Sequence, residues 1–169
     1  AKGLNFARIF LKPQPRRPGV AVRRVEAQDH GIDQVLDRRL MELCRPALET
    51  GQPVRVELPI RNADRATGAM LGGELVRRRP QGLPEDIVHL KFAGSAGQSF
   101  GAFLPRGITL ELEGDTNDYP GKGLSGGRLI VYPPKAGPFR AEENVVVGNV
   151  AAYGATGGEA FISGMAGER

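Results

Sequence analysis

A glycine-rich stretch, residues 114–134 (GDTNDYPGKGLSGGRLIVYPP), contains two motifs that are typical of catalytic or cofactor-binding loops. Residues 121–126, GKGLSG, fit the G-x-G-x-x-G pattern of dinucleotide-binding loops, in which backbone N–H groups and a helix N-terminus hold a pyrophosphate. Residues 123–127, GLSGG, fit the G-x-S-x-G pattern of serine hydrolases, which would make Ser125 a nucleophile. One site cannot perform both chemistries, so the elements that flank the stretch must decide between them.

Neither motif has the flanking elements that its chemistry needs. A dinucleotide loop opens a helix, and a nucleophile elbow connects a strand to a helix, whereas this stretch is followed by the β-branched run RLIVY and two prolines. Both histidines, His30 and His89, precede Ser125, although the histidine of an α/β-hydrolase follows its serine. A Walker loop does not fit either, because Lys122 is followed by glycine. We therefore predict a glycine-rich turn that leads into a strand, with no catalytic, cofactor-binding or metal-binding residues.

The other residues that could bind metals or act as nucleophiles do not form a recognisable site. The single cysteine, Cys44, excludes an intramolecular disulfide and a Cys-rich zinc or iron–sulfur site. It lies beside the apolar face of a predicted helix, which favours a buried and unreactive thiol. Four acids lack the spacing of calcium-binding loops and are interpreted as surface acids: Glu111, Glu113, Asp115 and Asp118. Asp118 is expected to accept backbone N–H groups of its turn.

The composition indicates one domain, or one domain with an extension: 169 residues, 40% hydrophobic, with a net charge of +4. Basic residues cluster at 16–17, 23–24, 38–39 and 77–79, but acids lie between the clusters and no aromatic series accompanies them. A nucleic-acid-binding module is therefore not favoured. No run approaches roughly 18 apolar residues, and no signal-peptide pattern is present. We predict a cytoplasmic protein with no membrane or nucleic-acid partner.

The first third of the chain contains a predicted connector and a predicted helix. Residues 1–30 should be extended, because the segment KPQPRRP contains three prolines, which fix φ and cannot donate ladder hydrogen bonds. Residues 31–51 should form an amphipathic helix that Pro46 interrupts or kinks and that Gly51 ends. Its apolar face consists of Ile32, Val35, Leu36, Leu40, Leu43 and Ala47.

Short strands are predicted in the remainder of the chain. In the segment that follows the first predicted strand, Asn62 is a candidate helix cap, and Gly72–Gly73 is interpreted as an interruption of regular secondary structure. Sixteen of the 24 glycines follow residue 90, where no helical pattern occurs between the strands. Alternating or β-branched runs predict strands within residues 53–60, 86–92, 108–114 and 127–134, and two or three more within 143–164.

A degenerate repeat accounts for the recurring glycines. Residues 114–123 align with residues 148–157 at an offset of 34, and residues 94–101 align with residues 120–127 at an offset of 26. This irregular spacing, with short strands, fits the coils of a parallel β-helix better than a β-sandwich. The glycines assigned to the tight turns between coils are Gly94, Gly97, Gly101, Gly123, Gly127, Gly154 and Gly157.

Long strings of the sequence match one known family in order. They are GSAGQSFGAF, LELEGDTNDYPGKGLSGGRLIVYPP and GNVAAYGATGGEAFISGMAGER, and upstream of them KGLNFARIF, QDHGIDQVLDRRL and LPIRNADRATGAMLGGELVRR. The chain resembles the C-terminal glycine-repeat (GXGXG) domain of the glutamate synthase large, or alpha, subunit. The resemblance covers nearly all 169 residues.

The resemblance implies a mainly β fold, a single-stranded right-handed parallel β-helix with an N-terminal connector and one or two short helices. The connector is residues 1–30, and the β-helix domain with its N-terminal helix is residues 31–169. Glycine-repeat coils are expected from about residue 91. The family's domain continues past the position equivalent to Arg169, so the chain is expected to be truncated at its C-terminus.

The resemblance also implies a function. Glutamate synthase converts glutamine and 2-oxoglutarate to two glutamates, using an amidotransferase domain, FMN, an iron–sulfur cluster and a reductant such as NADPH. In that family the glycine-repeat domain has no catalytic residues and holds the amidotransferase and FMN synthase domains in register. The expected partners are therefore other domains of the same large subunit, a smaller electron-donating subunit and further copies in an oligomer. An alternative is a standalone glycine-repeat subunit of a glutamate-synthase-like complex or of formylmethanofuran dehydrogenase type.

Overall fold

The computed structural model describes residues 3–12, 14–138 and 140–168, and the chain divides into two compact units, Ala1–Ile32 and Asp33–Arg169. In the first unit, the backbone N–H groups of Ile9 and Phe10 donate to the carbonyl oxygen of Phe6 at 2.9 and 3.0 Å. The rings of Phe6 and Phe10 lie with their centroids 6.0 Å apart. None of the described residues of this unit is buried.

The described part of the second unit contains three α-helices and seven β-strands. The helices are α1 (Leu36–Leu43), α2 (Arg45–Thr50) and α3 (Ala69–Arg78). Short 3₁₀ turns cover Ile32–Gln34 and Ala141–Glu143. The strands are β1 (Val54–Ile60), β2 (Val88–Ala96), β3 (Ile108–Thr116), β4 (Ser125–Tyr132), β5 (Val145–Val147), β6 (Gly157–Ile162) and β7 (Met165–Ala166).

These strands form one connected sheet, and each pair of strands in it is parallel. The order is β1-β2-β3-β4-β6, and β5 pairs with both β3 and β7. The pairing of β3 with β5 occurs at Thr116, which lies beside Val147. In the main part of the sheet, Leu58 of β1 lies beside Phe92 of β2, which lies beside Leu112 of β3.

The inward-facing residues of the sheet form rows across successive strands. One row consists of Leu58, Phe92, Leu112 and Val131, and the next consists of Val56, Leu90, Leu110 and Leu129. Because side chains alternate between the two faces of a strand, these apolar rows share one face, and the charged side chains of the strands lie on the other. Leu40 of α1 and Leu71 and Leu75 of α3 are fully buried in the same cluster as the apolar rows. Burial of each such leucine stabilises the fold by roughly 1.5–3 kcal/mol.

The predicted interruption of the first helix is confirmed. Cys44, with φ −88° and ψ 5°, separates α1 from α2. Pro46 lies in the first turn of α2, where its missing N–H group would have had no helical partner. Gly51 ends α2 in the left-handed conformation, with φ 75°, and its N–H group donates to the carbonyl oxygen of Ala47.

The interpretation of the segment after β1 is wrong in two respects. Asn62 does not cap a helix, because α3 begins seven residues later and has Gly68 at its N-cap position. Gly72 and Gly73 do not interrupt the helix but lie inside it. A methyl group on Gly72 would approach the ring of Pro105 to 2.9 Å, so this glycine permits close packing of α3 against the chain before β3.

The predicted fold class is also wrong. The described residues form a seven-stranded parallel sheet with three α-helices, an α/β-like arrangement. A mainly β, single-stranded right-handed parallel β-helix with one or two short helices is not supported. The physical reason is that short strands bounded by glycines indicate only that the chain turns after each strand. They do not indicate how many sheets the strands form.

Candidate functional site

Part of the glycine-rich stretch forms a turn, residues 117–124, that leads into β4. The backbone N–H groups of Gly121, Gly123 and Ser125 donate at 2.8, 2.9 and 3.0 Å to carbonyl oxygens of other turns. The acceptors are Phe100, Tyr153 and Leu104. A phosphate-binding loop needs N–H groups that converge on an open site. These N–H groups already have carbonyl partners and are not available to a phosphate.

Ser125 does not have the surroundings of a nucleophile elbow. It is the first residue of β4, so a strand follows it where the elbow requires a helix. Its hydroxyl donates to the carbonyl oxygen of Leu104 at 3.4 Å. The ring nitrogens of His89 face two carboxylates, Asp86 before β2 and Glu111 on β3.

The turn belongs to a set of four, which we call the turn stack: residues 62–68, 97–104, 117–124 and 148–155. Alternate residues in each turn have positive φ, between 51° and 96°. These residues are Ala66 and Gly68; Ser99, Gly101 and Phe103; Tyr119, Gly121 and Gly123; and Val150, Ala152 and Gly154. Six of the eleven are not glycine, and a positive φ is costly for such residues, so the surrounding structure must hold these turns in place.

Hydrogen bonds between successive turns provide that support. In the second turn, the N–H groups of Ser99 and Phe103 donate to the third turn, and the N–H group of Gly101 donates to the first turn. The acceptors are the carbonyl oxygens of Asp118 at 2.8 Å, Lys122 at 2.7 Å and Thr67 at 2.9 Å. Three residues with positive φ therefore bond the second turn to both of its neighbours.

The turn stack aligns the repeat differently from the sequence comparison. Ala66, Ser99, Tyr119 and Val150 occupy equivalent positions, which gives offsets of 33, 20 and 31 residues, where the sequence suggested 26 and 34. The sequence alignment matched Tyr119 with Tyr153. The structure places these two rings in edge-to-face contact with their centroids 6.4 Å apart, at non-equivalent positions of neighbouring turns.

The seven glycines assigned to turns have different environments. Four have positive φ: Gly94 (132°), Gly101 (68°), Gly123 (64°) and Gly154 (68°). Gly97 and Gly127 have no such φ but lie where a methyl group would approach Asn62 to 2.6 Å and Leu104 to 2.7 Å. Gly157 begins β6 and has no atom within 4 Å of the position of a methyl group. Its assignment to a tight turn stays a prediction.

The four acids near the stretch have separate partners. Asp118 accepts the backbone N–H group of Asn149 at 2.8 Å, in the next turn of the stack, whereas the prediction placed its partners in its own turn. Asp115 accepts the hydroxyl of Ser95 at 2.7 Å, and Glu113 pairs with a lysine of β2 at 3.6 Å. In the part of the chain that the structure describes, no group of three or more His, Cys, Asp or Glu side chains could hold a metal ion.

The fourth acid, Glu111, belongs to a connected set of polar side chains that sequence reasoning missed. We call it the outer-face chain: Arg55, Asp86, His89, Glu111 and Tyr132. Arg55 donates to Asp86 at 2.7 Å, the two nitrogens of His89 lie 3.0 Å from Asp86 and 2.7 Å from Glu111, and the hydroxyl of Tyr132 donates to Glu111 at 2.5 Å. Polar positions on alternate residues of the strands were visible in the sequence, but their pairing depends on the strand register.

The outer-face chain shifts the pKa values of Asp86, Glu111 and Tyr132. Burial raises the pKa of Asp86, but a hydrogen bond from Thr109 and the charge of Arg55 outweigh that effect and leave the pKa lowered. Burial likewise opposes the hydrogen bonds that Glu111 accepts, and its pKa is also lowered overall. Burial and the neighbouring Glu111 raise the pKa of Tyr132. Both carboxylates are therefore stabilised in the charged form.

A second missed residue, Asp37 of α1, is a buried carboxylate that joins two helices. It accepts the backbone N–H groups of Gly68 and Met70, both at 2.7 Å, at the N-terminus of α3. Burial raises its pKa, and these hydrogen bonds partly offset the rise. Burial, with a smaller contribution from Asp37, raises the pKa of Cys44 to about 12, which agrees with the buried, unreactive thiol that we predicted.

The sequence of this chain matches one family over most of its length. The family is described as the GXGXG motif, and the match covers residues 37–169, which contain the sheet and the turn stack. The chain belongs to the GXGXG family.

Relatives of this GXGXG chain are glutamate synthases. It is 54% identical over 170 residues to glutamate synthase [NADH] of Schizosaccharomyces pombe and 50% identical over 172 residues to the glutamate synthase [NADPH] large chain of Bacillus subtilis, and both matches cover 100% of the chain. It is 44% identical over 124 residues, 73% of the chain, to ferredoxin-dependent glutamate synthase of Cyanidium caldarium. The resemblance to glutamate synthase large chains is confirmed.

The GXGXG chain corresponds to a small part of each relative. The matched region is 8%, 11% and 8% of the three proteins, respectively. Other domains of a longer chain are therefore plausible neighbours. Among the described residues, no helix is long and apolar enough to cross a membrane.

Proposed function

We propose that the chain is a structural domain of a glutamate synthase large chain, which converts glutamine and 2-oxoglutarate to two glutamates. Its task is to hold the amidotransferase and FMN synthase domains in register. The observation that carries the proposal is 54% identity over the whole chain to a protein of which it matches only 8%. The other 92% of such a protein offers room for the catalytic domains.

The hydrogen bonding of the domain suits a structural role. Successive strands of the sheet are paired in parallel from β1 to β4, and successive turns of the turn stack are bonded to one another. Displacing one strand and its turn relative to the next would break several backbone hydrogen bonds together, and the loss of each costs about 1 kcal/mol. Domains that must keep fixed positions relative to one another require such a rigid spacer.

The cofactors and remaining partners follow from the same proposal. FMN, the iron–sulfur cluster and the site for a reductant such as NADPH lie in other domains or in a smaller electron-donating subunit of a cytoplasmic oligomer. Cys44 is the single cysteine of the sequence. It is fully buried, and its pKa is raised to about 12, so it does not offer an exposed thiolate to a cluster.

The purified chain provides the first test. It should show no glutaminase activity and no flavin absorbance after incubation with FMN. Stoichiometric FMN binding by the chain would contradict the proposal. The reading frame that encodes the chain is a second criterion. A frame that encodes no amidotransferase or flavin-binding domain would favour the standalone glycine-repeat subunit instead.

The proposed task of holding the amidotransferase and FMN synthase domains in register is tested in the full-length protein that this reading frame encodes. Gly94→Val places a branched side chain against the backbone of β1 and should distort the sheet, whereas Gly73→Ala, at an open position of α3, is the matched control. We expect Gly94→Val to keep glutaminase and ammonia-dependent synthase activities but to release free ammonia during glutamine-dependent synthesis. A purely positional role would be contradicted if Gly94→Val released no additional ammonia during glutamine-dependent synthesis. It would also be contradicted if the variant lost only the glutaminase or only the ammonia-dependent synthase activity.

A further inference from the structure

The outer face of the sheet carries a row of polar side chains at the level of His89. The strand register places Arg55, His89, Thr109 and Arg128 side by side on β1 to β4. His89 has a side-chain exposure of 23%, so it is shielded but still in contact with solvent. A groove of about 290 Å³, lined in part by Arg55, Lys91 and Glu111, opens beside its ring.

Each ring nitrogen of His89 faces a carboxylate. Nδ1 lies 3.0 Å from Oδ1 of Asp86, in the turn before β2, and Nε2 lies 2.7 Å from Oε2 of Glu111 on β3. A carboxylate only accepts hydrogen bonds, and a neutral imidazole has a single N–H donor. Both contacts can be hydrogen bonds only when both nitrogens carry hydrogen.

Both carboxylates are also held from their far sides. Asp86 accepts a hydrogen bond from Arg55 of β1, and Glu111 accepts one from Tyr132 of β4. Asp86 has a positive φ of 59°, a conformation that is uncommon for a residue other than glycine and that its contacts must maintain. His89 is therefore the central link of a chain that runs across four strands.

We propose that His89 is a protonation-dependent clamp on the outer face of the sheet. The imidazolium donates to Asp86 and Glu111 at the same time. When the ring loses a proton, one nitrogen presents a lone pair to a carboxylate oxygen, and the link from β2 to either the preceding turn or β3 is lost. The clamp strengthens the sheet in mild acid and weakens it as the pH rises toward 8.

The charges around the ring are mixed, and the two groups hydrogen-bonded to it are carboxylates. The titratable, charged and hydroxyl groups on the packed elements are Arg55 and Glu57 on β1, Asp86 before β2, Lys91 on β2, Thr109 and Glu111 on β3, and Arg128 and Tyr132 on β4. The carboxylates of Asp86 and Glu111 lie within hydrogen-bonding distance of the ring nitrogens, and the arginines and the lysine belong to the surrounding row of side chains.

The test compares two histidine variants of the full 169-residue chain. The sequence contains two histidines, and His30 is exposed, so His30→Gln is a matched control for His89→Gln. The urea midpoint of each is measured from about pH 5 to about pH 8, the interval in which histidine ordinarily changes charge. Buried Asp37, whose pKa is raised, is common to all three proteins and cancels in the comparison.

The urea midpoints of the unmodified chain and of His30→Gln should fall as the pH rises through this interval. In His89→Gln, that fall should be no more than about half as large. Identical pH profiles for all three proteins would overturn the proposal. If His89→Gln does not fold, ¹H–¹⁵N spectra of the His89 ring in the unmodified chain test the proposal instead. Both nitrogens should carry hydrogen at about pH 5, and a neutral ring across the whole interval would refute the clamp.

Discussion

Gly94 and Gly157 are both repeat glycines, but only one of them occupies a position that excludes a side chain. Gly94 has φ 132°, and a methyl group there would overlap the carbonyl oxygen of Ile60, its neighbour on β1. Gly157 has open space and no positive φ. A glycine pattern in a sequence therefore combines positions that the backbone requires with positions that tolerate other residues.

Alanine substitutions distinguish these two kinds of glycine. Gly94→Ala should lower the free energy of unfolding by about 1–3 kcal/mol, because a strained φ and a backbone contact act together. Gly157→Ala should change it by less than about 0.5 kcal/mol. Gly73→Ala, inside α3 with open space, should raise it by up to about 1 kcal/mol. Urea unfolding measures all three, and equal losses at Gly94 and Gly157 would contradict this ranking.

The sequence indicated the type of contact that Asp118 makes but not its partner. Asp118 was expected to accept N–H groups of its own turn, since aspartate commonly does so in glycine-rich turns, whereas it accepts the N–H group of Asn149, 31 residues away in the next turn. His89 and Glu111 are 22 residues apart, and their contact depends on the register of β2 with β3. Without that register, the polar residues of each strand indicate only a solvent-facing surface.

Asp37 shows how one side chain can fix the relative position of two helices. It belongs to α1, and its carboxylate bonds to N–H groups at the start of α3, where Gly68 at the N-cap position has no side chain to do so. Sequence reasoning looked for this cap nearby, at Asn62. The residue that bonds to these N–H groups lies 31 positions away from Gly68, outside the range of any local capping rule.

Removal of this carboxylate should destabilise the contact between α1 and α3. Asp37→Ala leaves buried N–H groups without an acceptor and should lower the free energy of unfolding by about 1–3 kcal/mol. Amide exchange at Gly68 and Met70 should accelerate in parallel. Asp33→Ala is the control, because the ion pair of Asp33 with Arg38 at 3.4 Å is exposed, and its loss should cost less than about 0.5 kcal/mol. Unchanged exchange at Gly68 in Asp37→Ala would argue against the capping role.

Strand positions could be predicted from the sequence, but the arrangement of the sheet could not. Alternation identified β1 and β3, because each strand has one buried face. The same alternation would occur in a β-helix and in this single parallel sheet. The positive φ values of Ser99 and Tyr119 were also invisible in the sequence, since these residues are not glycine and their N–H groups bond to the next turn of the turn stack.

At the scale of the whole molecule, the outer-face chain links the stability of the sheet to acidity. Because the folded pKa of Glu111 is lowered, its contribution is present above the unfolded value of about 4.3 and is lost as the pH falls through the folded value. Glu111→Gln should therefore show a weaker loss of stability between about pH 5 and pH 2. Glu57→Gln is the control, because Glu57 lies on β1 on the same face of the sheet as Glu111. The urea midpoint of each variant is measured across this interval. If it changed with pH to the same extent in Glu111→Gln and Glu57→Gln, the outer-face chain would not link stability to acidity.

Residues 1–30 remain a predicted connector, and truncation tests whether the fold depends on them. The buried hydrophobic residues that the structure describes all lie after residue 36, so removal of residues 1–30 should leave both the urea midpoint and the m-value unchanged, because the m-value follows the surface exposed on unfolding. Removal of residues 1–43 eliminates α1 with Leu40 and Asp37 and should abolish or strongly weaken the transition. A lower midpoint after the shorter truncation would show that residues 1–30 stabilise the domain and are not only a connector.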